Sequence, residues 1–286
     1  MSRIYRFRVV NVFAQSQLAG NPLAVVENAD GLSDAEMQQL ALQFNLSEST
    51  FVFASTRADA RVRIFTPTFE MPFAGHPTLG TAFVVRALGR GGDALTLEMK
   101  AGIIPVVAGA DPSARDVWTL SANAPTYRDY EFTRAQVAEA LGLHESDIAG
   151  EPRWVSAGVE QLVVPLASVA AVERARPRMD LCVKYCANFM EAQAYVFAWR
   201  DDANIVARYF FAQGGSLIED PGTGSACANL GGYLLAQEAN LPLRADVHQG
   251  AATGRPCLLH LEIGADGRIR VGGRVVELMR GEIGLD

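Results

Sequence analysis

The 286-residue chain is 49% hydrophobic and 20% charged, with 26 Gly and 13 Pro, which excludes intrinsic disorder, collagen and coiled coil and suits one large or two ordinary domains. Its 25 basic and 32 acidic side chains give a formal charge of −7, arguing against nucleic acid or an anionic membrane as partner. No apolar run approaches the ~18 residues of a membrane span, and the opening residues alternate like a strand rather than a signal peptide, so the expected location is the cytoplasm. Four cysteines, Cys182, Cys186, Cys227 and Cys257, are too few for a disulfide scaffold and are expected to stay reduced there.

In chain order, Ser33-Asp34-Ala35-Glu36 is a helix capping box, followed by Met37, Leu40, Ala41 and Phe44 at helical spacing, and Asn45 ends the predicted helix over 34–44. Thr50–Phe53 reads as a strand, which leaves Leu46-Ser47-Glu48-Ser49 on a short connection. A strand over Arg61–Thr66 precedes the turn at Ala74-Gly75-His76-Pro77. That turn opens a helix running to about Leu88 and stopping at Gly89, so Gly75 and His76 sit at a helix N-terminus.

The second half repeats the plan. Thr133-Arg134-Ala135-Gln136 is another capping box, Gly142 closes its helix, and Leu143-His144-Glu145-Ser146 stands where the first half has Leu46-Ser47-Glu48-Ser49. A strand over Ile205–Phe211 carries Arg208-Tyr209-Phe210, matching Arg63-Ile64-Phe65. It leads through Glu219-Asp220-Pro221-Gly222-Thr223-Gly224-Ser225 into a helix from about Ala226 to Ala239. The pattern predicts an internal duplication with a linker near Asp111–Ala124 and a ligand cleft between two domains.

Each Gly-rich helix start offers unpaired backbone N–H groups and the positive end of a helix dipole, a combination that binds carboxylate or phosphate. Neither start is a Walker loop, and Gly222-Thr223-Gly224 lacks the third Gly and the acidic residue of a dinucleotide fingerprint. On their own these glycines read as tight turns. The polar residues beside them, His76, Asp220 and Ser225, point instead to proton chemistry, because a His at a helix N-terminus is favoured in its neutral form. Glu48 adds a carboxylate between Leu46 and Phe51, where an apolar setting would raise its pKa, whereas Glu145 reads as a solvated loop residue. The Cys182/Cys186 pair has no second ligand pair and the histidines are scattered, so no metal is expected. Cys227 reads as a small buried residue, and Arg255 as surface charge within reach of a carboxylate.

Taken together, Phe13–Val26 (FAQSQLAGNPLAVV), Asn45–Phe51 (NLSESTF), Arg63–Gly80 (RIFTPTFEMPFAGHPTLG), Glu219–Ala226 (EDPGTGSA) and Gln249–Pro256 (QGAATGRP) resemble the phenazine-biosynthesis (PhzF-like) family of isomerases, which shares the diaminopimelate epimerase fold. The resemblance implies an α+β fold of two pseudo-symmetric domains, each a mostly antiparallel curved sheet or barrel around a central helix. They cover residues 1–117, joined by a terminal strand at about 275–286, and residues 118–274, with the site in the cleft between them. It implies a homodimer, no cofactor, and proton transfer at carbon on a small carboxylate-bearing metabolite, as in isomerisation of trans-2,3-dihydro-3-hydroxyanthranilate. Glu48 is the implied acid/base, with His76 and Asp220 as further catalytic residues and Gly75, Gly222, Thr223, Gly224 and Ser225 as substrate-binding positions. Ala74 and Pro221 stand where the epimerases carry their cysteine pair, and Gly222 replaces the family's usual Ala. An amino-acid racemase with other bases and a non-catalytic metabolite-binding protein are the alternative readings.

Overall fold

The alternating and capped segments of the sequence become a regular series of elements in the computed structural model, which describes residues 2–286. They run β1 (Arg3–Val12), β2 (Asn21–Val26), α1 (Asp34–Phe44), β3 (Glu48–Phe53), β4 (Ala60–Phe65), β5 (Glu70–Met71), α2 (Gly75–Ala87), β6 (Ala94–Met99), β7 (Gly102–Ala108) and β8 (Val117–Ser121). There follow β9 (Thr126–Asp129), α3 (Arg134–Ala140), β10 (Arg153–Ser156), β11 (Glu160–Pro165), α4 (Val169–Arg174), α5 (Met179–Tyr185), β12 (Gln193–Trp199), β13 (Asn204–Gln213) and β14 (Ser216–Asp220). The chain ends through α6 (Gly224–Ala236), β15 (Leu243–Gln249), β16 (Cys257–Ile263) and β17 (Ile269–Leu285). The fold is α+β. Among the described residues no helix is long and apolar enough to cross a membrane.

Two compact units divide the chain after Ser121 and again after Val271, so that Gly272–Asp286 belongs with the first unit. The interruption at Asp111–Arg115 is a 3-10 turn within that unit, held by the Asp111 carboxylate accepting from the Ser113 backbone N–H. Val117–Ser121, which the linker expectation included, is instead a strand with Trp118 and Leu120 buried.

In the first unit the strands follow the order β17–β1–β2–β3–β4–β6–β7–β8 and close again on β17, giving an eight-stranded barrel. Most pairs are antiparallel; β2 with β3 and β4 with β6 are parallel, because α1 and α2 return the chain between them. The expected helix over 34–44 is α1, with both halves of the Ser33–Glu36 capping box formed and Asn45 left-handed at its end. Its Met37, Leu40 and Ala41 pack on Tyr5, Phe51, Phe53 and Phe65.

The opposite face of the same strand looks inward. Thr50 alternates with Phe51 along β3, and its hydroxyl meets that of Thr81 in α2 at 2.8 Å. The central helix α2 touches β1, β2, β3, β6, β7 and β8 and is buried continuously from His76 through Ala82. A helix enclosed in this way needs small residues where strands press closest. A methyl group added at Gly80 would come within 2.7 Å of the Leu23 side chain and 2.9 Å of Val12.

The second unit uses the same connections. Strands β11 and β12 are parallel, as are β13 and β15, and the pairs β10–β11, β12–β13 and β15–β16 are antiparallel. The segment Ala122–Asn123 bridges Ile269 and Ala157 through backbone hydrogen bonds. Its central helix α6 is buried from Ala226 to Leu234 and packs on β10, β11 and β16.

The duplication is visible in matching contacts. Phe65 pairs with Glu70, and Arg63 makes a bidentate bond to Glu70 at 2.8 and 2.7 Å while covering the Phe65 ring. Phe210 pairs with Glu219, and Arg208 grips Glu219 at 3.0 and 2.7 Å over the Phe210 ring. In each unit this fork pins the short hairpin that feeds the central helix. One expected correspondence fails. The helix capped by Thr133 lies between β9 and β10, ahead of the strands equivalent to β1 and β2, whereas the counterpart of α1 is the α4–α5 crossover between β11 and β12. A capping box marks a helix start of any kind, so two of them do not establish equivalence.

Gly80→Ala is expected to cost about 1–3 kcal/mol through overpacking of the barrel interior. Urea denaturation measures this; a variant as stable as the wild type would show that α2 has room to shift.

Candidate functional site

Strand register decides where Glu48 points. It lies two residues before Thr50 and four before Val52, so its side chain shares their inward face. From Thr50 to Glu48 the strand advances about 6.6 Å, and from Thr81 to His76 the helix advances about 7.5 Å, so the two chains stay level. The result is His76 Nε2 at 3.5 Å from Glu48 Oε2, with both side chains at least four-fifths buried. Glu48 therefore begins β3; the expected connection through Ser49 ends two residues sooner, at Ser47.

The start of α2 carries no side-chain cap. Ala74 stands at the N-cap, Thr78 N–H already bonds Ala74 O, and Pro77 has no N–H, which leaves the Gly75 and His76 donors at the helix mouth. His76 itself is buried, and that burial pushes its pKa down to about 3 against an opposing hydrogen bond to the Pro22 carbonyl. It is a neutral imidazole beside a carboxyl group. Asn21, the first residue of β2, places its side-chain nitrogen 3.5 Å from His76 Nδ1.

The second unit builds its loop from Asp220 to Ser225. Asp220 ends β14, and α6 starts at Gly224, two residues before the expected Ala226, so Ser225 lies in the first helical turn. Thr223, at the N-cap, makes no capping bond; its hydroxyl instead donates to Asp220 Oδ2. Gln249 fixes this arrangement. Its amide nitrogen donates to Asp220 O at 2.9 Å and to Thr223 Oγ1 at 3.0 Å, while its oxygen accepts from Thr223 N at 3.4 Å. Gly222 is buried within the loop. The loop rests on Gly250 at φ +80°, where a side chain would meet Pro221 O at 2.4 Å and Arg255 O at 2.3 Å.

Within each unit the predicted residues come together: Glu48, Gly75 and His76 in the first, Asp220, Thr223, Gly224 and Ser225 in the second. Glu145 is exposed on a 3-10 turn, as a solvated residue would be. All four cysteines are free and buried, and burial raises the Cys227 thiol pKa. Among the described residues no three His, Cys, Asp or Glu side chains are grouped to hold a metal ion.

Reading by residue type overlooked the amides. Gln161, Gln193, Asn229 and Gln249 are all buried. The register places Ala194 opposite Phe210 as Ser49 lies opposite Phe65, so Gln193 is the counterpart of Glu48. Its amide donates to Glu160 O at 2.9 Å and its oxygen accepts from the Tyr209 hydroxyl at 2.5 Å. Because α2 and α6 both have 13 residues after their N-caps, Ser225 is likewise the counterpart of His76. A polar residue in the otherwise apolar Gln161–Pro165 run was the signal available in sequence.

A depressed His76 pKa makes acid stability depend on this site. The unfolded chain takes up the proton near pH 6.5 and the folded chain only near pH 3, so the unfolded state binds more protons in between and stability falls as pH drops through that window. Denaturant unfolding from pH 7 to pH 4 is expected to show a steeper loss for the wild type than for His76→Asn; parallel curves would mean that His76 titrates normally.

A family model described as phenazine biosynthesis-like protein matches residues 10–281. An uncharacterized isomerase of Pasteurella multocida is 38% identical, with 98% of this chain and 94% of that protein covered. The trans-2,3-dihydro-3-hydroxyanthranilate isomerase of Pseudomonas aeruginosa is 35% identical over 90% of each chain. A phenazine biosynthesis protein of Bacillus anthracis superposes with a TM-score of 0.87 at 25% identity, covering 98% of this chain and 99% of that one.

Proposed function

Given that this chain belongs to the phenazine biosynthesis-like (PhzF) family and is an isomerase, we propose that Glu48 moves a proton between carbons of a small cyclic carboxylate of the trans-2,3-dihydro-3-hydroxyanthranilate class. The observation that carries the reading is a carboxyl group aimed from the barrel interior at an uncapped helix start, beside an imidazole held neutral by burial. Neutral His76 neither neutralises Glu48 by ion pairing nor competes with it as a cationic acid.

The step breaks one C–H bond of the ring, passes the proton to the Glu48 carboxylate and leaves the electron pair in the conjugated system. A new C–H bond then forms at another carbon on the same face, restoring the carboxylate. One proton moves and no electrons are gained or lost, so the chemistry as drawn calls for no cofactor. The substrate carboxylate is the natural ligand of helix-start N–H groups, supplied by Gly75 and His76 in one unit and by Gly224 and Ser225 in the other. The proposal has both sets act on one substrate, with Asp220 held by Thr223 as an acceptor for the substrate's amino group.

A thiol-based racemase gains no support from these residues. Ala74 and Pro221 occupy the loop positions a cysteine pair would need, and Cys227 is sealed inside α6.

Glu48→Gln keeps the shape of the side chain and removes its proton transfer, so kcat is expected to fall at least about 10²-fold with the unfolding midpoint nearly unchanged. Turnover at the wild-type rate in a folded variant would remove Glu48 from the mechanism.

A further inference from the structure

The buried amides of the second unit form a chain whose direction is set by backbone groups. Ala157 N–H can only donate, and it donates to Asn229 Oδ1 at 2.7 Å. Asn229 Nδ2 must then be the donor toward Val159 O and toward Gln161 Oε1, both at 2.8 Å. With its oxygen so engaged, Gln161 presents its amide nitrogen to Ser225 Oγ at 3.2 Å. Ser225 therefore accepts on that side, and its own proton has no acceptor among the described residues. Asn229 and Gln161 are almost wholly buried, 1% and 2% exposed, so water does not scramble this order.

A second chain agrees with the first. Glu160 O can only accept, so the Gln193 nitrogen faces it and the Gln193 oxygen takes the Tyr209 proton. Burial raises the Tyr209 pKa, and the hydrogen bond it receives from Gln161 partly counters that rise.

Resting on the isomerase reading above, we infer that Gln161 and Asn229 are positioning residues that hold Ser225 as an outward hydrogen-bond donor, so that this half of the site selects substrates presenting an anionic oxygen there. A serine free to rotate would serve donors and acceptors alike; one locked by a buried amide discriminates between them. The pair also explains why the counterpart of Glu48 is an amide. A carboxylate at Gln193 would accept from Tyr209 equally well but could not donate to Glu160 O.

Gln161→Glu tests the direction of the chain, because the ionised carboxylate still accepts from Asn229 but now also accepts the Ser225 proton. Affinity for 3-hydroxyanthranilate, an aromatic carboxylate used as the probe, is measured by fluorescence titration alongside KM and kcat for trans-2,3-dihydro-3-hydroxyanthranilate. At pH 8 the variant is expected to bind the probe about 10- to 100-fold more weakly and to raise KM similarly, with kcat nearly unchanged. Lowering the pH to 5 protonates the introduced carboxyl, restores a donor toward Ser225 and recovers binding. Ser225→Ala weakens binding by a similar factor and adds nothing when combined with Gln161→Glu. Wild-type affinity in Gln161→Glu at pH 8, or a loss of equal size at both pH values, overturns the inference. A wild type that binds the probe with this pattern but turns over no substrate keeps the inference and overturns the isomerisation proposed above; a folded wild type that does neither overturns both.

Discussion

An α-helix enclosed by strands leaves only its ends for chemistry, and the rest of each unit follows from that constraint. Buried from His76 to Ala82 and again at Val84 and Val85, α2 satisfies its polar side chains one by one against the barrel strands, Thr81 on Thr50, Thr78 on Met99 Sδ and His76 on Asn21. Small residues keep the strands close, as Gly80 does in α2 and Gly231 in α6, where an added methyl would lie 2.9 Å from Ile269. At the N-terminal end only Gly75 in α2, and Gly224 and Ser225 in α6, are partly exposed. Both helices leave it without a side-chain cap, although the peripheral helices α1 and α3 are capped by the strongest pattern available, a reciprocal Ser–Glu or Thr–Gln box. The contrast is chemical: a capped helix start has its donors satisfied, and an uncapped one offers them to an anion.

Duplication supplied two such starts, and divergence gave them different side chains. Equivalent strand positions hold Glu48 in one unit and Gln193 in the other, and equivalent helix positions hold His76 and Ser225. Glu48 and His76 stand in the first unit, while the second holds Asp220 with Thr223, Ser225 and amides whose directions are fixed by backbone partners. The Arg–Glu forks over Phe65 and Phe210 are the part that did not diverge, because each holds the hairpin from which the central helix springs.

Much of this was legible in the chain itself, because it depends on short-range chemistry. Ser33, Glu36 and Asn45 delimit α1 to the residue, and Gly75-His76-Pro77 marks the start of α2. Motif resemblance implies an acid/base role for Glu48, yet its strand position is not legible there, since a charged residue before Ser49-Thr50 looks like a turn until its inward register is known. Long-range pairing is legible only through the family resemblance, which implies that the terminal strand returns to the first domain. Barrel closure joins β1 to β17, some 270 residues away, and no local pattern announces it. The amide chain failed for the same reason: Gln161, Ser225 and Asn229 are unremarkable alone and acquire direction only when 64 and 68 residues of intervening chain bring them into contact.

The claim that one carboxyl group moves the proton on a single face is tested most directly by following turnover of trans-2,3-dihydro-3-hydroxyanthranilate in D₂O by proton NMR, with wild type and Glu48→Gln side by side. Carbon-bound deuterium is expected at one product carbon, in one configuration, from the wild type alone. Deuterium on both faces of that carbon, or the same labelling at the same rate from Glu48→Gln, would contradict it.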